Sequence, residues 1–255
     1  LKRELHEALV RGALELHPQI QVDAAGHPVG AEMLLRWVRA DGENVGPDAF
    51  IQLAEEDNLI LAIGDWALAE TCRLLADWAM HPGLSGLVLA VNVSARQFAQ
   101  PDFVAGVRNV LERTGVAPGR LRLEITEAAV LGDPAAAADR LRQLRALGVK
   151  IALDDFGTGY SSLAHLTHLP LDQLKIDRSF VEHVPGGQAS VMLVEAILAI
   201  GHGLGLEVVA EGVETAAQQA FLASRGCDAF QGYLHARAMT PEAFAAWVRE
   251  RMRAA

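Results

Sequence analysis

The stretch "VKIALDDFGTGYSSL", Val149 to Leu163, decides the fold. A short apolar run ends in two adjacent carboxylates, Asp154 and Asp155, and then in the turn sequence Gly157-Thr158-Gly159. Just upstream, Asp133-Pro134 reads as an N-cap and a first helical residue. Ala137, Leu141 and Leu144 follow at helical spacing, and Gly148 closes the helix. A helix thus hands over to a buried strand that ends in charge.

The same alternation extends in both directions. Helical patterns run from Pro101 to Gly115, from Thr215 to a stop at Gly226, and from Thr240-Pro241 onward. Between them lie short apolar runs: "LVLAVNVS", "LRLEITE", "DQLKID", "LEVVAEG" and "DAFQGY". Strands that alternate with helices pair in parallel, and strands apolar along their length are buried on both faces. The first two runs, "HPQIQVD" and "VGAEMLLRW", are separated only by "AAGH". That is too short for a crossover helix, so they form an antiparallel hairpin. The prediction is a single (β/α) barrel with an irregular start, in which "ADGENVG" is a surface turn.

Most predicted strands carry a polar residue near the C-terminal end. These are Glu32 and Arg36, Asn92, Glu124, Asp154 with Asp155, Lys175, Glu211 and Gln231. In a β/α barrel those ends meet on one rim, where active sites lie. Taken singly, each has an ordinary reading: a solvated glutamate, an Asp-Asp helix cap, a snorkelling lysine. Taken together, so many carboxylates on one rim do not stay ionised without a cation. The donors are hard oxygens, with no Cys or His at matching positions, which points to Mg²⁺, Mn²⁺ or Ca²⁺ rather than zinc. Asp154 and Asp155 suit a pair of ions, Lys175 suits orienting a water, and Arg36 suits gripping a phosphate oxygen. The pattern reads as metal-assisted phosphodiester hydrolysis.

The formal net charge of -10 disfavours a nucleic-acid polymer as partner. It leaves room for a small anion held through a metal. No apolar run reaches the roughly 18 residues of a membrane span. "LKRELHEALV" reads as an amphipathic helix and not as a signal peptide. Cys72 and Cys227 lack metal-ligand spacing. His165 and His168 share a helical spacing with nothing nearby to complete a zinc motif. Trp37, Trp66 and Trp78 read as packing residues. The chain begins without Met, and is read as one domain, residues 1–255, of a larger signalling protein.

The motifs "EMLLRW" at 32–37, "VNVSARQF" at 91–98, "LEITE" at 123–127 and "DDFGTGYSSL" at 154–163 stand in a fixed order with "LKIDRSFV" at 174–181, "VVAEGVET" at 208–215 and "GCDAFQGY" at 226–233. In this the sequence resembles the EAL-domain family of bacterial cyclic di-GMP phosphodiesterases, over about Leu14 to Met239. The resemblance implies a TIM-type (β/α)8 barrel with an antiparallel strand near the start. It implies hydrolysis of one phosphodiester of cyclic di-GMP to linear pGpG, with one or two Mg²⁺ or Mn²⁺ ions, in a cytoplasmic domain that forms homodimers. Glu32, Asn92, Glu124, Asp154, Asp155 and Glu211 match metal ligands, with Lys175, Glu32 and Glu211 at the chemistry. Arg36 and Gln19 match ligand contacts. Gln231 and Glu214 match supporting groups beside the metal centre. Glu127 matches the glutamate that anchors the Asp155–Tyr160 loop.

The chain departs from the family in places. Met33 replaces the signature alanine, and strand alternation puts it on the face opposite Glu32, where it alters packing. Pro18 and Ile20 flank Gln19 in place of the common Tyr and Pro. "VRADG" follows Trp37 in place of Arg-His-Pro, and "HARAM" replaces a Ser-Arg-Pro pattern near the end. None of these removes a ligand. The alternative reading is a receptor that binds cyclic di-GMP with little or no turnover. The presence of Glu127 and of the Gly-Thr-Gly sequence argues against it.

Overall fold

The computed structural model describes residues 2–39, 44–56, 58–157 and 166–254. Its strands are β1 (Leu14–Asp23), β2 (Pro28–Val38), β3 (Asn44–Val45), β4 (Val88–Val93), β5 (Leu121–Thr126), β6 (Lys150–Phe156), β7 (Gln173–Ile176), β8 (Glu207–Ala210) and β9 (Ala229–Gln231). Eight of them close a ring in the order β1-β9-β8-β7-β6-β5-β4-β2, sealed by the β1–β2 pairing, with β3 an appendage on β2. β1 runs antiparallel to both neighbours, β2 and β9, and the other ring strands run parallel. The predicted barrel and its opening hairpin are both present.

Local chemistry explains the helices. Asp133 accepts a hydrogen bond from the Ala136 amide at 3.1 Å, and its helix is Pro134–Ala146. Thr215 and Gln218 form a reciprocal capping box on the helix Ala216–Ser224. The helix expected from Pro101 begins later, at Phe103, because Pro101 and Asp102 lie in a backbone turn closed by the Phe103 amide on the Gln100 carbonyl at 3.2 Å; it runs to Thr114. β2 reaches β4 through the helices Ile51–Glu56 and Leu59–Trp78. No helix of the described residues is long and apolar enough to cross a membrane.

The main core lies between the ring and its helices. Met33, Leu68, Leu123, Ile151, Val208 and Phe230 all belong to it, and each such side chain contributes about 1.5–3 kcal/mol on burial. Trp78 stacks on Phe244 at 5.3 Å in this core. A satellite core joins the N-terminal helix Lys2–Arg11, through Leu5 and Ala8, to Trp37, Phe50, Ile60 and Ile63. Cys72 and Cys227 are separate buried thiols, each pushed up to about 12 by burial.

Inside the barrel the filling is unusually polar. Period-two alternation places Arg122 below Glu124 on β5 and Gln173 below Lys175 on β7. Arg122 Nη2 and Gln173 Nε2 both donate to Glu207 Oε2, each at 2.8 Å. These bonds tie β5, β7 and β8 together at the foot of the barrel. Ala152 on the intervening β6 is fully buried and small, which leaves the arginine room to pass.

Candidate active site

Parallel pairing brings the C-terminal ends of the strands to one rim. At its centre is Lys175, which is fully buried. Its Nζ lies 2.6 Å from Glu211 Oε1, 2.7 Å from Glu124 Oε2, 3.3 Å from Asp154 Oδ2 and 3.4 Å from Glu32 Oε2. β2, β5, β6 and the residue after β8 thus each send a carboxylate to one ammonium from β7. Asn92 on β4 donates to Glu32 Oε1 at 2.6 Å, and Gln231 on β9 donates to Glu32 Oε2 at 2.6 Å. Gln231 Nε2 also reaches Gln19 Oε1 at 3.3 Å, and Gln19 Nε2 donates to the Ala236 carbonyl at 3.2 Å.

One ammonium does not balance four carboxylates, and the titration behaviour follows from that. Burial raises Glu211 to about 8, with Asp154 and Glu32 adding to the rise and Lys175 opposing it. Burial and the charge of Glu32 hold Glu124 well above the ordinary range. Burial also works against ionised Glu32, but Lys175, Gln231 and Asn92 outweigh it and keep that carboxyl low. Burial disfavours charged Lys175 too, yet the surrounding carboxylates hold it well above its usual value. Asp155 is raised, by burial first and then by Asp154.

Asp155 is also strained. Its φ is +57°, in the left-handed region that non-glycine residues seldom occupy. The β6–β7 register breaks between Leu153 and Phe156, around this residue. Its amide donates to Asp154 Oδ1 at 2.9 Å. Such strain gathers at functional sites.

A cavity of about 560 Å³ opens beside the cluster, with Asn92, Asp154 and Asp155 among its polar lining and Leu34, Ile60 and Val93 among its apolar lining. Met33 is buried in the main core and also borders this cavity. Other predicted residues sit apart from the ammonium. Arg36 Nη1 donates to the neighbouring Leu35 carbonyl at 2.8 Å. Glu214 is half-exposed and pairs with Arg178 at 3.3 Å, outside the ring of carboxylates. Glu127 is buried at the start of the helix Glu127–Leu131. Of the loop it was expected to anchor, Asp155 to Gly157 are described, whereas residues 158–160 lie outside the described residues, as does His165. His168 is exposed.

The sequence profile of the EAL domain matches residues 2–238. This chain belongs to the EAL domain family. Among relatives of this EAL domain is the bifunctional diguanylate cyclase/cyclic di-GMP phosphodiesterase MucR of Pseudomonas aeruginosa. It is 45% identical over 243 residues, which cover 95% of this chain and 35% of the relative. The cyclic di-GMP phosphodiesterase NbdA of the same organism is 42% identical over 251 residues, 98% of this chain and 32% of the relative. The chain therefore spans about a third of the length of these curated relatives. A solved structure of the MucR phosphodiesterase in complex with c-di-GMP superposes with a TM-score of 0.91 at 44% identity, covering 95% of this chain and 98% of that one.

Gln21 on β1 escaped sequence reading. It is buried and donates to Gln231 Oε1 at 2.8 Å. The available signal was its period-two relation to Gln19. Because β1 runs against the other strands, its C-terminal end points away from the rim, and its polar residues near the site do not follow the C-terminal pattern of the parallel strands.

Proposed function

We propose that this EAL domain hydrolyses one phosphodiester bond of cyclic di-GMP to linear pGpG, using Mg²⁺ or Mn²⁺. The observation that carries the reading is the convergence of Glu32, Glu124, Asp154 and Glu211 on Lys175. The names of the MucR and NbdA relatives and the c-di-GMP complex of MucR support the substrate. We further read the chain as one domain of a longer signalling protein, with cytoplasmic placement and homodimer formation as family expectations.

The donor chemistry fits a divalent cation. Among the described residues no three His, Cys, Asp or Glu side chains form a ready cage, since the carboxylates close on the ammonium instead. Their charge nevertheless exceeds what Lys175 neutralises, and Glu124 Oε1 is buried with no hydrogen-bond partner among the described residues. A proton on Glu211 relieves part of the excess, and a hard cation relieves it equally well. Glu32, Asn92, Glu124, Asp154, Asp155 and Glu211 would hold it. When bound, it supplies charge neutralisation at phosphorus and a more acidic water.

The chain's own residues do the rest. Arg36, four residues past Glu32 on β2, grips a phosphate oxygen of the substrate. The apolar part of the cavity takes the base, and its polar end meets the phosphate. Lys175 orients the attacking water and offsets negative charge that develops on the phosphoryl oxygens. Glu211, once ionised, takes the water's proton. The new P–O bond forms as the bond to the ribose 3′ oxygen breaks, which leaves a 5′-phosphorylated linear product. Chromatography of a reaction with cyclic di-GMP and Mg²⁺ or Mn²⁺ tests this. A linear dinucleotide supports it, and tight binding with unchanged substrate moves the assignment to the receptor reading.

A further inference from the structure

Among the described residues two side-chain amides, Asn92 and Gln231, donate to Glu32, and the orientation of one of these donors depends on a residue that does not touch Glu32. A carboxylate only accepts. Gln231 approaches Glu32 Oε2 at 2.6 Å, so its NH₂ end faces that oxygen. The other end of the same amide, Oε1, then faces away and needs a donor. Gln21 Nε2 supplies it at 2.8 Å. Gln21 is 1% exposed, Gln231 4% and Glu32 6%, so bulk water does not replace these bonds.

The backbone is built around this contact. Gln21 lies opposite Gln231 in the β1–β9 register and opposite Gly30 in the β1–β2 register. A Cβ at position 30 would come within 2.7 Å of the Val88 carbonyl oxygen and 3.2 Å of Gln21 Oε1. Glycine there leaves the space in which the Gln21 amide sits.

We propose that Gln21 is a positioning residue of the acidic centre. It fixes the amide of Gln231, and through it the carboxylate of Glu32. A reversed Gln231 would set its carbonyl oxygen against the carboxylate, and Gln21 removes that alternative by occupying Oε1. The kinetic consequence rests on the hydrolase reading above, whereas the geometric claim does not.

The test compares wild type with Gln21→Met, which matches the length of glutamine and has no donor, with Gln231→Met, and with the double variant. Manganese affinity is read by calorimetry, and kcat and KM on cyclic di-GMP separately. Gln21→Met should weaken Mn²⁺ binding and lower kcat roughly 10-fold, as loss of a partner behind a metal ligand does, with KM within about twofold. The double variant should be no worse than Gln231→Met alone, because both act through one chain of bonds. Independent, multiplying effects, or a folded Gln21→Met with unchanged Mn²⁺ affinity and kcat, would overturn the proposal. Should Gln21→Met fail to fold, wild type decides. The side-chain NH₂ groups of Gln21 and Gln231 should be protected from solvent exchange in ¹⁵N spectra, and rapid exchange of both contradicts the proposal. Absence of turnover in wild type defeats the hydrolase reading alone, since the metal and NMR measurements still stand.

Discussion

Lys175 Nζ lies 2.6 Å from Glu211 Oε1, the shortest of its four carboxylate contacts. A buried ammonium is expensive unless anions surround it, and buried carboxylates are expensive unless a cation does. Each partner makes the other tolerable, and the surplus of carboxylate is what the chemistry draws on.

Lys175→Met tests that dependence. It keeps the length of the side chain and removes the charge. Turnover should fall by about 10³-fold, the size expected for losing a buried group that stabilises developing charge. The protein should lose about 3–5 kcal/mol of stability, as when one partner of a buried ion pair is removed. Single-turnover kinetics and chemical denaturation measure the two effects.

Metal-free protein should become less stable as pH rises from about 4.5 to about 8. Glu211 is raised from its usual 4.5 to about 8, mainly by burial. A raised carboxyl binds its proton more tightly in the folded state than in the unfolded chain. Its stabilisation is therefore complete below the unfolded value and lost as pH climbs through the folded one. Added Mn²⁺ competes with that proton, so the rise in Tm on adding metal should grow across the same interval. Thermal melts from pH 5 to pH 9, with chelator and with Mn²⁺, read both trends. A metal-induced shift independent of pH would contradict the assignment of Glu211.

Glu32→Gln should abolish turnover while the fold survives. Both flanking donors, Asn92 and Gln231, bond this carboxylate at 2.6 Å. A glutamine must turn its NH₂ toward one of them, which leaves a donor facing a donor at about 1–3 kcal/mol. Loss of Mn²⁺ binding in calorimetry and a modest fall in melting temperature are the expected outcome.

Asp155→Gly separates strain from chemistry. At φ +57° a side chain costs about 1–2 kcal/mol, which glycine does not incur. The variant should be as stable as wild type or slightly more so, yet slower by at least about 10²-fold if the carboxylate serves the proposed second ion. Denaturant titration and steady-state kinetics together give the answer.

The barrel was legible because most strands are bounded by turn residues and some helices open on a capping side chain, as at Asp133 and Thr215. The hairpin followed from the four residues of "AAGH". The rim residues of the parallel strands were legible for the same reason: parallel pairing sends every C-terminal end the same way, so a polar residue there identifies itself. Lys175 as the point of convergence was not legible, because a lysine on a strand reads equally well as snorkelling until its neighbours are known. Gln21 was hidden by the reversed direction of β1. The Arg122–Glu207–Gln173 tie at the barrel's foot was hidden because its members sit before their strands' apolar centres. Glu214 shows the converse: a motif position alone does not say that its side chain reaches the centre.

The most direct measurement strips the protein of metal, supplies cyclic di-GMP, and follows the linear dinucleotide before and after Mn²⁺ is restored. Product should be absent without the ion, appear with it, and be absent from Glu32→Ala under either condition. Equal turnover in the stripped and reconstituted protein, or product from Glu32→Ala at the wild-type rate, would contradict that expectation.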